Sequence, residues 1–408
     1  MLNTETPMAP SSFDPWSSEF IANPFPVYRE LREQYPVCYF KPTDQWLISR
    51  YDHVNALLRD HRRFVCSYTH LASHEEMGRT PQPDWQEPFW RLNSGSLLSE
   101  PPLHTEIRQL LNPRFSSQEV KRLQPRCQKL AEKLVDNFVT AGGGDLVADV
   151  IEPLGLAIIG DIVGMPTADR HLLLTWIGPI LELFIPNHTT DGAQCAVRAA
   201  VEFDAYLREL MAERAERPDV SLLSDLMAAH AREEISRQDI ASSAAMLLIG
   251  GLHAPVRSMA LGCLAMLRHP DQWELLRHHP ELMPSAIEEL LRYDTPNHMF
   301  ERFALEDIKV DGVRIPRGAE VALLFASANH DPAQFTDPER LDITRTNNRH
   351  LALAAGIHFC LGAHLIRCQM AAVYSALLRK APHMRLLAEP QWGPGYNIRG
   401  VLALHVAV

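Results

Sequence analysis

The sequence predicts a mainly α fold with small β-sheets, of the α+β class, in one domain spanning residues 1–408. Three observations carry this. From about 116 to 340 the pattern is mostly helical, with capping residues at the starts. Residues 305–323 switch to short strands and turns. No repeat, low-complexity linker or composition break divides the chain.

The first 13 or so residues are polar and contain Pro, so they are expected to fray. Residues 23–35 read as a helix after Asn23-Pro24, Trp46–Ser49 as a short strand and Tyr51–Arg59 as a helix. Residues 66–95 carry Pro, Gly, His and Trp without periodicity and read as a long loop, which in compact proteins is usually functional. Ser116-x-x-Glu119 and Ser236-x-x-Asp239 resemble capping boxes, the second with Asp in the acceptor place. Pro270 and Pro284 mark helix boundaries. Ile308–Val310 and Val313–Ile315 flank an Asp311-Gly312 turn, and a turn-rich meander follows over 329–350. A last helix starts after Cys360 and runs to about Lys380. Leu402–Val406 alternates like an edge strand.

The composition is ordinary for a globular chain, 46% hydrophobic and 22% charged. A net charge of −11 without a long basic run points away from nucleic acid. The N-terminus has neither the basic start nor the apolar core of a signal peptide or anchor. The apolar stretch Ala244–Leu267 is interrupted by His253, Pro255 and Arg257, so a buried helix over about 237–268 is expected, and no membrane partner. Seven scattered cysteines without C-x-x-C spacing read as reduced thiols of a cytoplasmic protein, Cys360 apart.

Cys360 sits in a Gly-bounded turn at a helix start, within His350–Arg367. The helix dipole and free backbone N–H groups there favour a thiolate. Gly356 and Gly362 permit a tight turn and close approach of a flat ligand. A small metal site from His358, Cys360 and His364 competes, but structural zinc takes four ligands in paired clusters and no second cluster is present.

This segment resembles the cytochrome P450 signature F-G-x-G-x-H-x-C-x-G. Gly356, His358, Cys360 and Gly362 match, while Leu353 replaces the Phe and Ala354 the first Gly. The resemblance runs from Asn23-Pro24-Phe25-Pro26 to Arg399-Gly400 and includes Glu289-x-x-Arg292, with Arg340 as the expected third member of its ion-pair network, and Ala328-Asn329-His330-Asp331-Pro332. It implies a cytochrome P450 fold holding haem b (heme b, iron protoporphyrin IX), with Cys360 as thiolate metal ligand, a ligand that favours O–O cleavage. It places the propionates on His104, Arg108, Arg302 and His358.

The distal segment departs from the family's A/G-G-x-D/E-T, whose acid and alcohol deliver protons to oxygen. Gly250 and Gly251 match and are expected to let the helix approach the haem, but His253 replaces the acid and Ala254 the threonine, and Pro255 follows. Pro inside a helix removes one hydrogen bond and kinks the axis. Four consequences compete. His253 relays protons itself; the substrate supplies the hydroxyl; the enzyme uses peroxide or couples aromatic rings; or His253 points away and water does the work.

The resemblance also implies a pocket lined by the loop 66–95, the region 170–190, Asn297-His298-Met299-Phe300, and Tyr396-Asn397-Ile398, with Met246, Leu247 and Gly250 from the central helix. Phe184, Ile185 and His188 are expected to gate it. The leading expectation is a bacterial, cytoplasmic, monomeric monooxygenase taking O2 and a small natural-product or catabolic substrate. Electrons would come from a ferredoxin-type donor docked near Arg114 and Arg349. The alternatives are a peroxide-using or C–C/C–O coupling haem-thiolate enzyme, and a non-catalytic haem recruitment module.

Overall fold

A central helix, Arg237–Arg268, organises the molecule. The structure is a computed structural model that describes residues 6–69, 71–93, 96–185, 188–395 and 397–408. The central helix starts where its cap is best, with Ser236 Oγ accepting the Asp239 N–H at 3.1 Å, and it continues through Pro255. Among the described residues it is the one helix long and apolar enough to cross a membrane, yet 67% of its apolar window is buried inside the fold. Its closest large neighbour is the helix Glu152–Val163. A Cβ on Gly155 would lie 3.1 Å from Leu252, and one on Gly251 only 2.4 Å from Ile159, so bare backbone on both helices lets them approach.

The helix Ser117–Thr140, capped by Ser116 Oγ on the Glu119 N–H, packs along the last long helix, Ala363–Lys380. These helices and the central one share a single hydrophobic core. A second, strand-rich region has its own core, which includes Trp46, Ile48, Leu323 and Phe325. Its five strands lie in the spatial order Val37–Phe40, Gln45–Ile48, Glu320–Leu324, Met299–Ala304 and Phe64–Val65. Gln45–Ile48 and Glu320–Leu324 are parallel, and the other pairs antiparallel.

The hairpin Ile308–Val310/Val313–Ile315 closes through Asp311 and Gly312, both at positive φ (50° and 79°), as a two-residue turn matched to strand twist requires. The expected edge strand near the C-terminus is two strands. Val401–Ala403 pairs with Gln391–Trp392, whereas His405–Ala407 lies between Gly143–Asp145 and Arg385–Leu386. It is a central strand, because partners far away in sequence cover both of its edges. The expected loop 66–95 contains the short helix Glu87–Asn93, whose Phe89 is fully buried.

The meander is tied down by Glu289 and Arg292, both completely buried and paired through two 2.8 Å bonds. Arg292 also donates to the carbonyls of Asn329 and Pro338. The third cation is Arg345, whose Nε reaches Glu289 at 3.0 Å, and not Arg340, which contributes only its carbonyl. Asn348 and the Asp342 N–H complete the carboxylate's shell.

Candidate functional site

The cysteine loop is shaped by its backbone. Cys360 N–H donates to the Leu353 carbonyl at 3.0 Å, with the 3-10 turn Gly356–His358 between them. Ala354, in the place of a signature glycine, nonetheless holds φ 57°, a left-handed conformation that costs a side chain energy. Gly356 (φ 74°) lies against the helix Tyr51–Arg59, where a Cβ would be 2.4 Å from the Leu58 carbonyl oxygen. Its glycine thus serves the turn and that helix contact. Burial pushes the Cys360 thiol up, opposed by the Gly362 N–H and by Arg108 and Arg367. The helix start therefore favours the thiolate, as expected, but burial outweighs it within the protein alone.

The four residues expected to bind carboxylates converge around this loop. The rings of His104 and His358 are tilted against each other with centroids 4.4 Å apart; His104 Nε2 is buried without a hydrogen-bond partner among the described residues, whereas His358 Nε2 faces Glu100. Burial holds His104 down to about 4, with His358 and Arg108 adding to the effect. For His358, burial works against the charge, but Cys66 and Glu100 outweigh it and push it up to about 9. Arg108 donates to the Phe359 carbonyl at 3.1 Å, and the buried Arg302 to the Glu301 carbonyl at 2.7 Å. Cys66 and Glu100 were not legible as part of this site. Glu100 accepts the Cys66 N–H at 2.6 Å and lies 3.5 Å from His358 Nε2. One unpartnered imidazole nitrogen, a second imidazole beside it, two guanidiniums on weak acceptors and an enclosed thiol fit a carboxylate-bearing cofactor whose metal takes the sulfur.

On the central helix, Gly250 faces open space, with nothing within 4 Å of where a Cβ would stand, whereas Gly251 faces Ile159. Gly251 is therefore a helix-packing residue and does not open the pocket. His253 Nε2 lies 3.5 Å from Arg257 Nε, and its Nδ1 is buried without a partner among the described residues. Burial, with Arg257 adding to it, holds His253 down to about 3. Arg257 was missed from the sequence. It donates to the Val401 carbonyl at 2.6 Å, and its stem runs where a Gly400 Cβ would stand, 2.2 Å from its Cδ. Ala254 offers only its carbonyl, which accepts the Ser258 hydroxyl at 2.9 Å.

The expected pocket segments meet. The rings of Phe89 and Phe184 are 5.2 Å apart, Phe300 is 37% exposed, and Asn297 bridges Ile398. Asn397 Nδ2 donates to Phe184 O at 3.2 Å and to Glu301 Oε1 at 2.7 Å. His298 does not line the pocket: it is fully buried and its Nδ1 bonds the Tyr28 hydroxyl at 2.9 Å. Leu247 is likewise buried, and Tyr396 lies outside the described residues. His188 Nδ1 bonds the Ile185 carbonyl at 3.0 Å. Outside the Cys360 loop, a groove of about 870 Å³ is lined by Arg59, His61, Arg349 and the 42% exposed Phe359, among others. Arg114 is instead committed to Asp225 at 2.6 Å.

The family model described as Cytochrome P450 matches residues 157–381. The chain belongs to the cytochrome P450 family. This P450 is 35% identical over 392 residues to nocardicin C N-oxygenase of Nocardia uniformis subsp. tsuyamanensis, covering 93% of this chain and 94% of the relative. It is 33% identical over 399 residues to cytochrome P450 monooxygenase PikC of Streptomyces venezuelae, covering 95% and 92%. The solved structure of myxobacterial CYP267B1 in complex with myristic acid superposes with a TM-score of 0.89 at 32% identity, covering 96% of this chain and 98% of that one. The P450 is thus an oxidoreductase of the monooxygenase type, with relatives in bacterial natural-product tailoring.

Proposed function

We propose that this P450 is a haem-thiolate monooxygenase acting on a small natural-product molecule. Haem b held at Cys360 supplies the activation of dioxygen. The observation that carries the reading is the convergence of the Cys360 loop with the unpartnered nitrogen of His104, with His358 and with Arg108 and Arg302. In this reading Cys360 would hold the iron through its sulfur, and Arg108 and Arg302 would exchange their backbone carbonyls for the propionates, which they bind more strongly.

On the distal side Gly250 leaves room for dioxygen and substrate. Arg257 has donors only, so His253 Nε2 accepts and its hydrogen sits on Nδ1. Held neutral, His253 is a hydrogen-bond donor and carries no second proton at neutral pH. Ala254 supplies no hydroxyl, so proton delivery falls to water or to a substrate hydroxyl. A ferredoxin-type donor docks at the groove of Arg59, Arg349 and Phe359, next to the Cys360 loop.

A second reading, a peroxide-using or C–C/C–O coupling enzyme, is favoured by one observation: neither distal side chain can protonate oxygen in the usual way. One experiment separates the two. With a ferredoxin, its reductase, NADPH and isotopically labelled dioxygen, the holoenzyme is expected to place one labelled atom into products from a panel of polyketide and peptide natural products. Product that forms only with added hydrogen peroxide would overturn the first reading in favour of the second.

A further inference from the structure

Two adjacent carboxylates on the helix Met283–Tyr293 serve different segments. Glu289 holds the meander. Glu288 bonds the segment that carries Cys360, and does so on both sides of the cysteine. Before it, His350 Nε2 lies 3.2 Å from Glu288 Oε2. His350 Nδ1 accepts the Ala352 N–H at 3.2 Å, so the ring hydrogen is on Nε2 and is donated to the carboxylate. After the cysteine, Arg367 donates from Nε to Oε1 at 2.5 Å and from Nη2 to Oε2 at 2.8 Å. This two-point fork fixes a guanidinium in direction as well as in distance.

Arg367 is also tied to the start of its own helix, Ala363–Lys380. Its Nη1 bends back to the Ala363 carbonyl at 2.9 Å, and the Ala363 N–H meets the Cys360 carbonyl at 3.4 Å. A cation is thereby held on the first turn after the thiol, where the helix dipole already favours negative charge. Arg367 accordingly opposes the effect of burial on Cys360. Glu288 offsets that same cation at contact distance. Burial works against the Glu288 charge, but Arg367 and His350 outweigh it and hold the carboxyl down to about 2, so the pair is charged at neutral pH. Both side chains are about two-thirds buried, and a pair so placed is screened less than one on the surface.

We propose that Glu288 is a positioning residue for the cysteine loop and the counter-charge that sets how strongly Arg367 acts on the Cys360 sulfur. This rests on the haem-thiolate reading and deepens it: Glu288 touches no reacting atom and acts through Arg367. Without the Glu288 charge, Arg367 stays on the Ala363 carbonyl and its field at the sulfur is no longer offset. A sulfur facing more positive charge gives less electron density to the iron, which favours the reduced state. Without the Arg367 charge the effect has the opposite sign.

The experiment is a reductive titration of the holoenzyme against redox dyes, with the carbon monoxide band recorded for each variant. Glu288→Gln is expected to shift the reduction equilibrium about threefold towards the ferrous state, and Arg367→Met about threefold away from it. Opposite signs are the signature, because a loop that is merely loosened moves both variants the same way. Shifts of one sign, or no shift in either variant, would overturn the proposal. The double variant Glu288→Gln/Arg367→Met removes both charges together and guards against a folding defect caused by one unpaired charge. Its equilibrium is expected to return to that of the wild type, and a displacement larger than that of Arg367→Met alone would equally overturn the proposal. A wild type without the long-wavelength carbon monoxide band would instead overturn the haem-thiolate reading beneath it.

Discussion

The cysteine loop and the central helix both depart from the family pattern, but they absorb the departure differently. In the loop, Ala354 takes a glycine's place and the backbone does not yield: φ stays at 57°, and Cys360 N–H still reaches the Leu353 carbonyl. Hydrogen bonds and the contact of Gly356 with the Leu58 carbonyl determine the path from outside. In the central helix the path is also kept, through Pro255, yet the chemistry is exchanged: a buried neutral imidazole on Arg257 stands where an acid is usual, and a methyl where an alcohol is usual. A scaffold tolerates substitutions that its backbone can carry, whereas a reaction depends on a few side-chain atoms that nothing else replaces.

The contrast can be broken from either side. Breaking the scaffold has the largest expected effect. Glu289→Ala strips a fully buried carboxylate from Arg292 and Arg345, and is expected to cost about 3–5 kcal/mol and to reduce haem retention. Thermal melts with haem quantitation check this, and a melt within experimental error of the wild type would show that the meander is held by something else.

Restoring the distal alcohol comes next. Ala254→Thr is expected to raise the fraction of electrons ending in product by about tenfold, below the usual range for a positioned proton donor because water already does part of the task. Unchanged peroxide leakage would mean that the substrate or water already does all of it. For His253, burial and Arg257 hold the ring down to about 3 against about 6.5 unfolded. A depressed histidine stabilises the fold only above the unfolded value, so stability is expected to fall as pH drops from about 6.5 towards 3. His253→Gln should flatten part of that slope.

The smallest expected effect is a gain: Ala354→Gly relieves the left-handed strain and is expected to stabilise by about 1 kcal/mol, visible in a denaturant midpoint.

Much of the scaffold was legible because it depends on local chemistry. The helix Tyr51–Arg59 has the expected bounds, Ser116 and Ser236 cap as read, and Asp311-Gly312 turns the hairpin. The misses depend on distant partners. Leu402–Val406 reads as one edge strand, but it divides into two, and residues 143–145 and 385–386 flank His405–Ala407. Arg345 rather than Arg340 reaches Glu289, since register in a meander decides which guanidinium points inward. His298 is claimed by Tyr28, and Gly251 by Ile159. In the site, the signature residues were legible by spacing. Arg257 and Glu100 were not, because a lone charge shows its burial only after folding.

The central claim is that Cys360 holds haem iron as a thiolate. The direct measurement is the carbon monoxide difference spectrum of the reduced holoenzyme, recorded beside Cys360→Ala. The account expects the long-wavelength thiolate band in the wild type and its loss in the variant. A short-wavelength, imidazole-type band in the wild type, or a thiolate band surviving in Cys360→Ala, would contradict it.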